Sequence, residues 1–202
     1  MAKYDLKKKV RLGILGGTFD PAHKWHLKIS KVAKKLFKLD KIVWDITEKN
    51  PFKSKSFYSL KKRVKIAKSL TKKTKYVTVG FYEKKIKSNK TIKLIKFFKK
   101  NHSNEIFFIM GADNLIRFHN WKSWKKIVKL VKLVVFSRKG YDRKGMKSIV
   151  VKNYKNKIVF IKIILFLNFL ATIDFIPFLS YPFLEKTINF TNFTIFFQLF
   201  QL

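Results

Sequence analysis

No cysteine occurs anywhere in the chain, which rules out a disulfide framework and thiolate metal sites and fits a reducing compartment such as the cytoplasm. Acidic residues are scarce as well, 11 against 47 Lys and Arg, for a formal net charge of +36. Arginine is nearly missing from that basic set: only Arg11, Arg63, Arg117, Arg138 and Arg143 occur. A nucleic-acid interface is built on clustered arginine or exposed aromatic platforms. Here the lysines are spread along the chain beside abundant Ile, Phe and Asn, as in an AT-rich coding sequence. They read as a solvated coat whose positive field still favours polyphosphate ligands. The basic start "MAKYDLKKKVRLGILGG" is followed only by a strand-length apolar run, so it does not read as a signal peptide. A length of 202 residues suits one domain, or one domain with an appendage.

What is present alternates. "VRLGILG" (Val10–Gly16) is an apolar run closed by glycine, the pattern of a buried parallel strand. A helix is predicted from about Pro21 to Phe37 with Leu27, Val32, Ala33 and Leu36 inward. Strands are predicted in "KIVWDIT", "KYVTVGFY", "EIFFIMG", "KLVVFSR" and "KIVFIKI", and helices in "SLKKRVKIAKSL", "TIKLIKFFKK" and "WKKIVKLV". This order predicts an α/β fold, a Rossmann-like open parallel sheet with flanking helices. Such sheets bind ligands at the carboxyl ends of their strands, near the switch point.

From Ile163 onward the composition changes. Residues 163–202 hold one basic residue, Lys186, ten of the 22 phenylalanines and no glycine. The division predicted is an α/β domain over 1–162 and an atypical hydrophobic tail over 163–202. A membrane span needs about 20 apolar residues, and Asn168, Asp174 and Pro177 interrupt this stretch, so no membrane partner is expected.

The chemistry concentrates in "GGTFDPAHKWHL". Gly16 and Gly17 let the backbone turn tightly against a ligand. Asp20 is placed to cap the following helix, with Pro21 in its first turn. Backbone N–H groups at that turn suit a phosphate. His23 and His26 fall on one helical face, where two imidazoles can donate to phosphoryl oxygens and offset developing charge. No third metal ligand has evident spacing, so no metal site is expected. Structural histidines remain the plain alternative.

The same stretch resembles the GGxFDPxHxGHL signature of the HxGH nucleotidyltransferases, and within them the bacterial nicotinate-nucleotide adenylyltransferase family. Later segments agree in order: "NPFK" with an Asn-Pro turn, "SNKTIKLI" weakly, "FIMGADNLIRFHNWKSW" closely, and "VVFSRKGY" with Lys139 in place of proline. The resemblance implies AMP transfer from ATP to nicotinate mononucleotide, giving deamido-NAD and pyrophosphate in NAD biosynthesis, with Mg²⁺ accompanying ATP. It implies catalytic roles for His23 and His26, and an ATP site lined by Gly16, Gly17, Thr18, Phe19, Gly111 and Asp113. It also implies a nicotinate-nucleotide pocket with Asn50, Thr91 and Trp121. For Asp113 a helix N-cap, and for Trp121 a core aromatic, are the structural alternatives.

Two departures stand out. Trp25 occupies the position where that family has glycine, and an indole there is expected to crowd the cleft or push the helix outward. A second phosphate motif of the form Ile-Ser-Ser-Thr-x-Ile-Arg is expected soon after "KIVFIKI", yet no Ser-Ser pair or arginine follows Arg143. The change of composition at Ile163 therefore predicts a shifted reading frame over 163–202 and little or no transferase activity. The runner-up readings are a pantetheine-phosphate adenylyltransferase and a non-enzymatic basic nucleic-acid-binding protein. A homo-oligomer is compatible with the sequence but not specified by it.

Overall fold

The computed structural model describes residues 10–48, 56–101 and 105–162. The predictions for Asn50 and for the 163–202 tail lie outside these residues. The strands are β1 (Arg11–Gly17), β2 (Lys41–Ile46), β3 (Val77–Gly80), β4 (Glu105–Gly111), β5 (Lys132–Phe136) and β6 (Ile158–Ile161). They form one sheet in the order β3-β2-β1-β4-β5-β6, every neighbouring pair parallel. The Rossmann-like open parallel sheet expected from the alternation is thus the fold observed. β1 is the switch strand: the chain fills one side with β2 and β3, then crosses to β4, β5 and β6. The carboxyl ends of β1 and β4 consequently lie side by side and flank the crevice such a switch creates.

The helices are α1 (Lys24–Phe37), α2 (Leu60–Thr71), α3 (Tyr82–Ile86), α4 (Thr91–Asn101), α5 (Ala112–Ile116), α6 (Trp124–Leu130), α7 (Asp142–Met146) and α8 (Ile149–Tyr154). Long amphipathic segments were legible; the short α3, α5, α7 and α8, each about one turn or a little more, carry no period to read. α1 begins at Lys24 rather than near Pro21, because Asp20–Ala22 belong to the turn before it. On α1 the buried residues are Ser30, Val32, Ala33 and Phe37, with Leu27 and Leu36 half-buried at the edge.

Two cores sandwich the sheet. One gathers Ile14, Phe108 and Leu133 with Ile95, Phe118 and Ile127 from the helices beyond. The other gathers Ile42, Trp44 and Phe107 with Ala33 and Phe37 of α1 and Ala67 of α2. Gly13 lies where the second layer presses hardest on β1: a Cβ there would stand 2.9 Å from Leu39 Cδ1 and 3.1 Å from Ile42 Cγ1.

Asp45, near the end of β2, is buried and accepts the Tyr82 N–H at 3.3 Å, tying β2 to the start of α3. Burial raises its pKa to about 6, against the usual 3.8; the Tyr82 N–H opposes that rise and the nearby Glu83 adds to it. Burial also lifts Glu83.

Two outcomes follow from these contacts. Gly13→Val should overpack the β1–α1 layer and cost about 1–3 kcal/mol, read as a lower denaturation midpoint at an unchanged denaturant slope. The raised Asp45 pKa means that the folded state holds this proton more tightly than the unfolded chain. Its contribution to stability is therefore greatest below about pH 4 and falls as pH rises to about 6. Asp45→Asn keeps an acceptor for Tyr82 and should remove that slope, raising stability at pH 7 by up to about 3 kcal/mol; thermal unfolding across pH 4–7.5 measures it.

Candidate active site

The turn between β1 and α1 is where the chain spends its irregular geometry. Phe19 has a positive φ of 48°, in the left-handed region disfavoured for a bulky residue. Its ring is nonetheless buried, 4.7 Å from that of His26 and 5.1 Å from that of Trp44. Asp20 does not cap α1. Its carboxylate turns to the entrance of α2 instead, accepting the N–H groups of Phe57 and, at 2.9 Å, Tyr58. The N-cap position belongs to His23, in extended backbone.

The two histidines are fixed relative to each other. The His23 backbone N–H donates to His26 Nδ1 at 3.2 Å, and the rings stand 4.1 Å apart. A backbone N–H only donates, so Nδ1 of His26 is an acceptor and the ring's N–H is at Nε2. Beneath the pair runs a buried relay: Trp44 Nε1–H donates to Ser30 Oγ at 2.8 Å, and Ser30 Oγ–H donates to the His26 carbonyl at 2.9 Å. Ser30 and Trp44 are fully enclosed, so this relay pins the first turn of α1 to β2. His23 is exposed and His26 half-buried, an arrangement that offers imidazole donors at a helix start.

Trp25 does not push α1 away from the sheet, since Val32, Ala33 and Phe37 keep their buried places. The indole instead stands 45 % exposed, with Lys28 Nζ 4.7 Å from its ring centroid.

Across the crevice, β4 ends in Gly111 and α5 follows at once. Gly111, not Asp113, is the N-cap of α5, so the N-cap reading of Asp113 is corrected. The Asp113 carboxylate folds back over Gly111, where a Cβ would come within 2.5 Å of Oδ1. A side chain at position 111 would displace that carboxylate. Asp113 Oδ2 accepts from Arg138 Nη1 at 2.6 Å, while Oδ1 is enclosed and has no hydrogen-bond partner among the described residues. The Arg138 loop is held in turn by Asp142, which accepts from Ser137 Oγ and from the Arg138 N–H, each at 2.7 Å.

Gly16, Gly17, Thr18, Phe19, His23 and His26 therefore gather at the end of β1, and Gly111 with Asp113 at the end of its neighbour β4. Trp121 is half-buried, edge-on to Phe108 at 6.0 Å and tilted against Phe118 at 4.9 Å. A Cβ on Gly16 would lie 3.6 Å from Phe108, so one ring separates Trp121 from the first motif. Thr91 opens α4, whose Ile92 and Ile95 join the same core as Trp121.

Three groups went unread in the sequence: the Ser30–Trp44 relay, Arg138 as the partner of Asp113, and Arg63. Arg63 sits in α2, only 2 % exposed, and donates to the backbone carbonyls of Thr18, Thr47, Glu48 and Tyr58. The scarcity of arginine was the one available signal. Among the described residues no group of three or more His, Cys, Asp and Glu side chains can hold a metal ion, and no helix is long and apolar enough to cross a membrane.

Comparison with known proteins agrees with this geometry. Residues 14–180 match the cytidylyltransferase-like family. The chain is 53 % identical over 156 residues, covering 77 % of it and 87 % of the relative, to a protein of Pelagibacter ubique named "Probable nicotinate-nucleotide adenylyltransferase". A Clostridium botulinum protein of the same name is 41 % identical, covering 74 % of this chain and 76 % of the relative. In fold, the chain is similar to the Plasmodium falciparum nicotinic acid mononucleotide adenylyltransferase, solved in complexes with APC and with NaAD. That likeness has a TM-score of 0.60 at 17 % identity and covers 85 % of this chain and 77 % of the other. The chain belongs to the cytidylyltransferase-like family and, within it, to the nicotinate-nucleotide adenylyltransferases.

Proposed function

We propose that this chain transfers the adenylyl group of ATP to nicotinate mononucleotide, giving deamido-NAD and pyrophosphate. The observation that carries the reading is the histidine pair at the β1–α1 turn, with its Nε2–H donor set by the His23–His26 contact. It lies just beyond the carboxyl end of β1, and the neighbouring strand β4 ends in Gly111 with Asp113 following.

In this reaction a phosphate oxygen of the mononucleotide forms a bond to the α-phosphorus of ATP. The bond from that phosphorus to the bridging oxygen breaks, and pyrophosphate leaves with the electron pair. No protein nucleophile takes part; catalysis is alignment plus stabilisation of charge on the phosphoryl oxygens. His23 and His26 supply donors to the ATP phosphates at the start of α1, and Gly16, Gly17, Thr18 and Phe19 shape the cleft wall. Mg²⁺ arrives with ATP as part of the substrate.

On the β4 side, the Asp113 carboxylate held by Arg138 is assigned as the acceptor for a hydroxyl or amino group of the adenosine. Trp121 borders the nicotinate ring, with Thr91 on the same pyridine-nucleotide side. The expectation of low turnover now rests on the missing second phosphate motif and on Trp25, whose indole flanks the histidines without displacing α1.

The expected result of a coupled assay is pyrophosphate release requiring both ATP and nicotinate mononucleotide. His26→Asn should lower that rate about 100- to 1000-fold while leaving the circular dichroism spectrum unchanged. Release at the no-enzyme rate from this chain and from Trp25→Gly, with no binding of nicotinate mononucleotide to either, would overturn the proposed activity, and an equal rate with 4′-phosphopantetheine would favour the pantetheine-phosphate reading. Calorimetric titration separates the two half-sites: nicotinate mononucleotide should bind this chain and Trp25→Gly alike, whereas ATP should bind Trp25→Gly more tightly.

A further inference from the structure

Arg63 is the most deeply buried cation among the described residues, and the mechanism above does not use it. Its Nη1 donates to Thr18 O at 2.6 Å and Thr47 O at 2.8 Å, its Nη2 to Glu48 O at 3.0 Å, and its Nε to Tyr58 O at 3.1 Å. All four acceptors are backbone carbonyls. They come from three places: the β1–α1 turn, the exit of β2, and the entrance of α2.

A buried cation bonded to neutral carbonyls is an expensive way to fill a core; an apolar side chain of similar volume packs there at lower cost. What an apolar residue lacks is donors. A guanidinium carries five N–H groups in a rigid fork and stays protonated, whereas an ammonium has a single nitrogen. The fork reaches carbonyls on separate segments at once, so it sets the positions of those segments relative to one another.

The Thr18 contact matters most for the site. Holding the Thr18 carbonyl fixes the peptide that leads into Phe19, whose positive φ is otherwise disfavoured. That backbone turn is what carries the Phe19 ring inward against His26. Asp20 grips the other side of the turn through Phe57 and Tyr58, and Arg63 holds the carbonyl of that same Tyr58. The turn is thus clamped from both sides against the entrance of α2.

We propose that Arg63 is a positioning residue of the active site: by holding the Thr18 carbonyl it sets the left-handed turn at Phe19 and, through the Phe19 ring, the orientation of the His26 imidazole. The catalytic weight of that orientation rests on the function proposed above; the orientation itself does not.

Arg63→Lys in the full chain tests it, with ¹⁵N-imidazole NMR of His26 (assigned by its loss in His26→Asn) read beside turnover. In the parent chain His26 should show a single tautomer with its proton on Nε2. In Arg63→Lys the signal should move toward a mixture of tautomers, with kcat falling about 100-fold and the KM values changing less. An unchanged single tautomer and unchanged kcat, with only a lower unfolding temperature, would overturn the proposal and leave Arg63 a purely structural residue. A changed imidazole signal with full turnover would uphold the positioning while removing the role assigned to His26. Should Arg63→Lys fail to fold, Phe19→Leu makes the same test from the other end of the relay, and an undisturbed His26 tautomer there would equally overturn it.

Discussion

β1 is paired along both edges, with β4 as far as Leu15 and with β2 as far as Gly17, so its backbone is held until the glycines at its carboxyl end. Everything chemical happens where that restraint ends. The next peptides leave the sheet with no ladder partner, and their polar groups must be satisfied by something else. The Thr18 carbonyl is taken by Arg63 from α2 and the His23 N–H by the His26 imidazole from the first turn of α1, while the Asp20 carboxylate ties the turn to the entrance of α2. The turn is rigid because its backbone groups are engaged from several directions, not because the local sequence prefers that shape.

The deficit of acidic residues shapes how this is achieved. With few carboxylates available, the described residues show only three ion pairs, two of them on Glu105 and the third between Arg138 and Asp113. Several cations sit instead on backbone carbonyls or over aromatic rings, as with Lys28 on Trp25, Lys62 on Tyr58 and Lys34 on the Leu39 carbonyl and Tyr76. Carboxylates appear where one group must hold two donors at a turn, as Asp20 and Asp142 do.

The sheet was legible because its strands are short apolar runs bounded by glycine or charge, and periodicity reports burial directly. The first motif was legible because its chemistry lies in consecutive residues. What stayed hidden depends on contacts distant in sequence. Arg63 looks like any basic residue on an amphipathic helix until the fold brings Thr18 to it, 45 positions away. Arg138 stood in a quoted motif, but its partner is 25 residues earlier. Asp20 was misread because an Asp before a helix is usually a cap, and nothing local reveals that two N–H groups 37 and 38 residues on compete for it. The short helices α5 and α7 escaped for a different reason: too few turns to show a pattern.

A chain so rich in lysine also records what lysine cannot replace. Five arginines remain among 47 basic residues. Three of them sit where a planar fork or face is used: Arg63 across three segments, Arg138 between Asp113 and the ring of Tyr141, and Arg11 beside Glu105 and over Phe107. Each of these guanidinium groups engages several acceptors, or an acceptor and a ring, at once, which the single nitrogen of an ammonium does not do.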